Sequence, residues 1–270
     1  MRTKKRASLL IFAIWVLVFF SILSVGIYKI VSSQITVAKV LEERLVSLSA
    51  ANAAVAYVKR VRQGDGTAYD TLYEFSSDFE GELGKGRFKY TIVDEESKIN
   101  INKVTEEIIA NLPGLDEEAA SAIKESPLYP FELVEEVLLV EGITEDKYKE
   151  FKDIITVYGD GAVNINTASE ETLKVLGCND DLINGIKAYR SGPDFQEGTE
   201  DDVAFESVEV TEVSSFLEDQ TLLISLKGKK LLGVSSNNLA VKINTEILDR
   251  PAMRYIIIME GEKIKRWKEY

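Results

Sequence analysis

The chain has 270 residues, with 32 basic and 45 acidic side chains for a net charge of −13, one cysteine and no histidine. That inventory excludes a histidine-based catalytic triad, a zinc centre and an internal disulfide, and it leaves hard, oxygen-bound cations such as calcium as the metals the side chains could hold. A field of this sign repels phosphate backbones.

At the N-terminus, Arg2, Lys4, Lys5 and Arg6 precede an uncharged, mostly apolar run over residues 7–28. About 20 apolar residues cross the hydrocarbon core of a bilayer as a helix. The basic cluster lies on one side only, so the positive-inside rule puts the N-terminus in the cytoplasm and everything after Lys29 outside it, facing the periplasm or the cell exterior. A cleavable signal peptide has an apolar region of about 7–15 residues ending at a small-x-small site. This run is longer and does not stop. Ile30, Val31, Ile35, Val37, Ala38, Val40, Leu41, Leu45 and Leu48 continue it at spacings near three and four, then Ala50, Ala53, Ala54 and Ala56, with no proline or glycine between Ile27 and Arg62. The pattern predicts one long helix, membranous first and amphipathic afterwards. Ile30, Val37, Leu41, Leu45 and Leu48 lie on its apolar stripe.

Residues 63–66 read as a loop and those up to 86 as linker; residues 87–93 alternate and predict a strand. The chain then repeats itself. Asn100-Ile101-Asn102, Thr105-Glu106-Glu107 and Leu112-Pro113-Gly114 have counterparts in Asn164-Ile165-Asn166, Ser169-Glu170-Glu171 and Leu176-Gly177. Such self-similarity marks a duplicated supersecondary unit. Thr105 and Ser169 read as N-caps with a carboxylate in the first turn. A third helix pair is expected over 131–140 and 147–155, which makes residues 105–189 a helix-hairpin-helix block. An acidic, glycine-bearing loop follows at 191–202, then a helical pattern at 210–217, then strands at 231–235, 239–247, 255–260 and 262–267. Strands on both sides of a helical block predict one α+β domain with an all-α insertion. The expected divisions are 1–31, 32–98, 99–217 and 218–270.

Three functional readings arise from the residues. Glycine turns at helix N-termini can hold phosphate, as in helix-hairpin-helix DNA-binding proteins. Here Asp116, Glu117, Glu118, Asp180 and Asp181 flank those turns and would repel it. The acidic loop offers Asp194, Glu197, Thr199, Asp201 and Asp202 as oxygen donors of the class calcium takes. An enzyme is not expected: no carboxylate pair stands out, and Cys178 has no histidine to activate it.

Several segments together carry a family resemblance: KKRASLL entering the apolar helix, KININ and VNINTAS, PFELVEEVLLVEGITEDKYKEFKDIITVYGDG between them, and VSSNNLAVKI near the end. Along essentially its whole length the chain resembles the minor pseudopilin K family of type II secretion systems. The resemblance implies a pilin-type α+β fold, a long N-terminal helix packed on a β-sheet with a large inserted α-domain, and packing of the stripe of Ile30, Val37, Leu41, Leu45 and Leu48 against neighbouring pilin helices. It implies assembly with the minor pseudopilins I and J at the pseudopilus tip, in support of export of folded proteins, with secreted proteins and the secretin as further contacts. It implies cleavage by prepilin peptidase between Ala7 and Ser8, with alanine where the family norm is glycine. It also implies a mature helix without the glutamate most pilins carry at its fifth position, here Phe12, and calcium in the globular domain. The other reading is a membrane-anchored DNA-uptake protein of helix-hairpin-helix type, for which an acidic ectodomain is ill suited.

Overall fold

The computed structural model describes residues 2–76, 79–208, 221–247 and 250–270, with side chains from residue 11 onward in these segments. The helical pattern expected at 210–217 lies outside the described residues.

Helix α1 (Arg2–Gly64) runs unbroken for 63 residues, as its lack of internal proline predicts. At 1.5 Å per residue that is about 95 Å. Its window of highest mean hydropathy, 2.5, makes it long and apolar enough to cross a membrane. After a loop come α2 (Leu72–Ser76), β1 (Phe79–Leu83) and β2 (Gly86–Asp94). The chain closes with β7 (Asn238–Ile247), β8 (Arg250–Glu260) and β9 (Lys263–Glu269), which join the first two strands in an antiparallel sheet of order β1-β2-β7-β8-β9.

The far third of α1 lies on one face of this sheet. Ala50, Ala51, Ala54, Val55 and Val58 recur at helical spacing and meet Phe88, Tyr90 and Ile92 of β2, Leu239, Val241 and Ile243 of β7, and Tyr255, Ile257 and Met259 of β8. Alternation along each strand puts these nine residues on the same face. The three alanines carry almost no side-chain volume, so the helix axis can approach the sheet closely.

The described residues between β2 and β7, 95–208 and 221–237, form a second body with its own core, which includes Ile99, Ile101, Ile109, Ile123, Phe151, Ile155, Ile165, Leu173, Ile183 and Phe205. Its helices are α3 (Glu106–Ala110), α4 (Glu117–Glu125), α5 (Glu145–Phe151), α6 (Glu170–Val175), α7 (Asp180–Arg190) and α8 (Thr221–Gly228). Two short parallel ladders tie it at its base. One pairs β3 (Ile99–Asn100) with β4 (Ile155–Thr156), the other β5 (Val163–Asn164) with β6 (Leu232–Gly233). The fold is therefore α+β, a long helix on an antiparallel sheet with a helical insertion, as the sequence predicts.

The local departures have physical causes. The stretch read as linker contains α2 and β1; β1 is FEGEL, whose glutamates and glycine hide the strand, and Gly81 is there because a Cβ would lie 2.4 Å from the Phe88 ring. The expected helix at 131–140 is a 3₁₀ turn at Val134–Leu139, and the one at 147–155 ends at Phe151 so that Ile155 can enter the ladder. Of the strand expected at 231–235, only Leu232–Gly233 pairs. Strand β8 begins at Arg250 rather than 255; Pro251 there masks the strand pattern. Leu223, Leu226, Leu231 and Leu232, expected in the C-terminal β part, pack into the helical core.

Candidate functional site

The helix stripe is exposed along its length. Ile30, Val37, Leu41 and Leu45 are each more than half exposed, and Leu48, where the sheet begins to cover the helix, is 38% exposed. Ala7 and Ser8 lie in the first turns of α1, where the side chains are outside the described residues.

The duplicated Asn-Ile-Asn segments are structural. Asn102 Nδ2 donates to Phe131 O (2.8 Å) while its Oδ1 accepts from Phe131 N (2.9 Å). Asn166 does the same with Phe205, at 3.0 and 2.8 Å. The first asparagine of each copy turns its Oδ1 onto the N–H of the second, at 3.0 Å in both. Its Nδ2 reaches Tyr158 O and Gly159 O from Asn100, or Asp94 Oδ2 and Ser236 Oγ from Asn164. The hairpin turns fall at Gly114 and Gly177, both with positive φ. Asp116 caps α4 by accepting from Ala119 N, and Asn179 caps α7 by accepting from Leu182 N, both at 2.8 Å. Ser169 caps α6, while Thr105 stands at the N-cap of α3 without a side-chain bond. A phosphate seeking the first-turn amide of α4 would have to displace a carboxylate.

In the acidic loop, Asp201 accepts from Asp194 N (3.2 Å) and from Thr199 Oγ1 (2.8 Å). Asp202 accepts from Gly198 N and Thr199 N. Glu197 turns the other way, to the guanidinium of Arg190, whose NH1 also donates to Ile165 O and Ala168 O. The loop thus brings Asp194, Thr199, Asp201 and Asp202 together by their own hydrogen bonds and spends Glu197 on a buried cation. The oxygens remain of the class that suits calcium. Among the described residues, the three carboxylates whose oxygens converge within 4.8 Å are elsewhere: Asp65, Asp70 and Glu74.

That second cluster was not legible in the sequence, because the fold brings the end of α1 against the returning chain. Arg62 pairs with Asp70 and lies 3.7 Å from Asp65, while its NH2 donates to Ser236 O. Asp70 accepts from Ser236 N, and Glu74 from Thr71 N. The guanidinium is the counterion these carboxylates need, so they act as a latch rather than a cation cage. Arg62, Asp65 and Asp70 line part of a cleft of about 710 Å³ with Glu96, Lys103 and Asp160.

Beside the latch, Asp94 ends β2 fully inside the molecule. It accepts from Ser236 Oγ, Thr167 Oγ1, Asn164 Nδ2 and Glu96 N. Burial pushes its carboxyl above the usual range, against the pull of those donors. Each donor comes from, or leads into, the insertion, so Asp94 fixes the helical body on the sheet. The buried Cys178 thiol is pushed up to about 11 by burial, which removes it as a nucleophile near neutral pH.

A long, half-exposed helix on an antiparallel sheet, with a helical body latched between two neighbouring strands, defines a pseudopilin-type fold. A solved structure described as the GspK-GspI-GspJ complex from the enterotoxigenic Escherichia coli type 2 secretion system shares it, with a TM-score of 0.60 and 15% sequence identity over 85% of this chain and 96% of that chain. No protein-family model and no curated protein matches the sequence.

Proposed function

We propose that this chain is a minor pseudopilin of a type II secretion system, one that joins the minor pseudopilins I and J at the tip of the pseudopilus and so supports export of folded proteins across the outer membrane. The observation that carries the reading is the placement of a latched helical body between β2 and β7 on a helix-on-sheet scaffold, shared in fold with a complex of three such components. A body of that size above the sheet leaves little room for another subunit to stack on it.

In this reading residues 7–28 anchor the chain in the inner membrane with the basic end cytoplasmic, and prepilin peptidase cuts between Ala7 and Ser8. The exposed stripe from Ile30 to Leu48 then packs against neighbouring helices. Phe12 suits a terminal subunit, because a carboxylate there with no neighbour to pair it would be costly in the bilayer. Secreted proteins and the secretin are further contacts, the protein performs no catalysis, and Asp194, Thr199, Asp201 and Asp202 are the loop oxygens that would hold calcium. The DNA-binding alternative is disfavoured by Asp116, which already occupies the first-turn amide of α4.

The test is co-purification of the full-length chain in detergent with its own minor pseudopilins I and J, with mass measured by light scattering, alongside a titration with duplex DNA. A discrete ternary complex supports the reading. Salt-resistant DNA binding without that complex overturns it.

A further inference from the structure

The two faces of the sheet differ in chemistry. Along β7, β8 and β9 the residues that alternate with the apolar set facing α1 include Ala240, Lys242, Ile256, Ile258, Arg266 and Lys268. Strand register sets these six in two rows, Lys242–Ile256–Lys268 and Ala240–Ile258–Arg266. An isoleucine floor on β8 therefore has Lys242 one strand away on one side and Arg266 and Lys268 one strand away on the other, a spacing of about 4.8 Å in each direction.

The insertion closes this face into a groove of about 240 Å³, where Val134 of the 3₁₀ turn and Tyr148 of α5 join Ala240, Ile256 and Ile258 in the lining. The same groove is lined by five cations, Lys98, Lys152, Lys242, Arg266 and Lys268, and by three carboxylates, Glu95, Glu135 and Asp153. Two of those carboxylates are taken: Glu95 holds Lys98 at 2.7 Å, and Glu135 holds Lys268 at 3.1 Å. Arg266 shares the field of Glu135. Neither it, nor Lys152, nor Lys242 forms an ion pair among the described residues. The groove is thus positive on a chain whose net charge is −13.

We infer that this groove docks an acidic segment of a partner protein. Anything that covers the isoleucines also takes water from the cations beside them, and that costs free energy unless the occupant brings anions of its own. An aliphatic side chain flanked by Asp or Glu meets both demands: it rests on Ile256 and Ile258 while its neighbours reach Lys242 on one side and Arg266 on the other. Positive charge of this kind selects the partner's sign and register, and the apolar floor between the charges is where the binding energy concentrates. The groove faces away from α1, so it stays open when helices pack on the stripe and does not depend on the pseudopilin reading.

The test uses the full-length chain in neutral detergent micelles. The probe is a rhodamine-labelled heptapeptide with a central leucine between glutamates. Its controls are a peptide with lysines for the glutamates, one with serine for the leucine, and empty micelles. Anisotropy reports binding. The net charge of the chain favours the lysine peptide, so preference for the acidic leucine probe reports a local basic site. Arg2, Lys4, Lys5 and Arg6 are another basic cluster, so substitutions decide where the probe sits. Lys242→Gln with Arg266→Gln breaks no ion pair and keeps the melting temperature near that of the wild type, yet affinity falls about tenfold, the scale of two charge contacts. Lys242→Gln alone, at an exposed strand position, lowers it about threefold. Binding weakens as salt rises. Preference for the lysine peptide, equal binding of the leucine and serine probes, or wild-type affinity in either variant overturns the proposal. Loss of the ternary complex described above would leave this result untouched, so the two readings fail separately.

Discussion

Asn102 and Asn166, 64 positions apart, make the same pair of bonds: each side-chain amide closes a two-bond clamp on the backbone of a phenylalanine, Phe131 in the first copy and Phe205 in the second. Neither partner belongs to the repeated sequence. The duplication conserves the donor and acceptor and lets the clamped loop diverge, which is how one motif came to support both a 3₁₀ turn and the acidic loop.

Asn166→Ala strips partners from the N–H and C=O of Phe205, a residue almost wholly buried. Leaving buried backbone groups unpaired costs about 1–3 kcal/mol each. Urea unfolding should show a loss of about 2–4 kcal/mol, and Asn166→Asp, which keeps the acceptor but not the donor, should lose a comparable amount.

Asp94→Asn tests the junction between sheet and insertion. An amide nitrogen in place of Oδ2 would face the Ser236 and Thr167 hydroxyls and the Asn164 amide, all of which donate to it. The expected loss is about 2–4 kcal/mol. Limited proteolysis should cut first between the two bodies; unaltered stability would mean that Asp94 does not hold them together.

The pH dependence of stability follows from carboxyls that burial shifts. Burial raises Glu96, with Asp94 and Asp160 adding repulsion, and burial raises Glu74 likewise. A carboxyl whose folded-state value is raised holds its proton more tightly in the native than in the unfolded chain. Its contribution is therefore full below the unfolded value of about 4 and is lost as pH rises through the raised value. Glu135 is shifted the other way, so the informative quantity is a difference. The destabilisation caused by Glu96→Gln should be largest near pH 4 and shrink toward neutrality in paired thermal melts.

The two faces of α1 should respond oppositely to substitution. Ala54, fully buried against the sheet, has no room for more atoms, and Ala54→Leu should cost about 1–3 kcal/mol by overpacking. Leu41 faces solvent, so Leu41→Glu should change stability by less than about 0.5 kcal/mol while weakening the complex with the minor pseudopilins.

Cys178 should be silent to Ellman's reagent in the native chain and react fully in denaturant, since its buried thiol is both inaccessible and held protonated. Rapid native reaction would show that the α6–α7 hairpin opens readily.

The long helix, the sheet strands at 87–93 and 239–247, the duplication and the cap at Ser169 were legible because each is written in local spacing: helical periods, alternation, or one side chain reaching its own backbone three residues on; Thr105, read as a cap on the same ground, makes no side-chain bond, and the caps at Asp116 and Asn179 came from the structure. Edge strand β1 was hidden because its pattern is carried by its partner, Phe88 against Gly81, rather than by its own residues. The latch of Arg62, Asp70 and Ser236 and the buried Asp94 each join segments far apart in sequence, and no local rule pairs them. The sequence by itself determined which segments are helix, strand and membrane-length apolar run, because those depend on neighbours within a few residues. Only the tertiary structure decided which carboxylates are paired and which are buried, because charge and desolvation depend on distances through space.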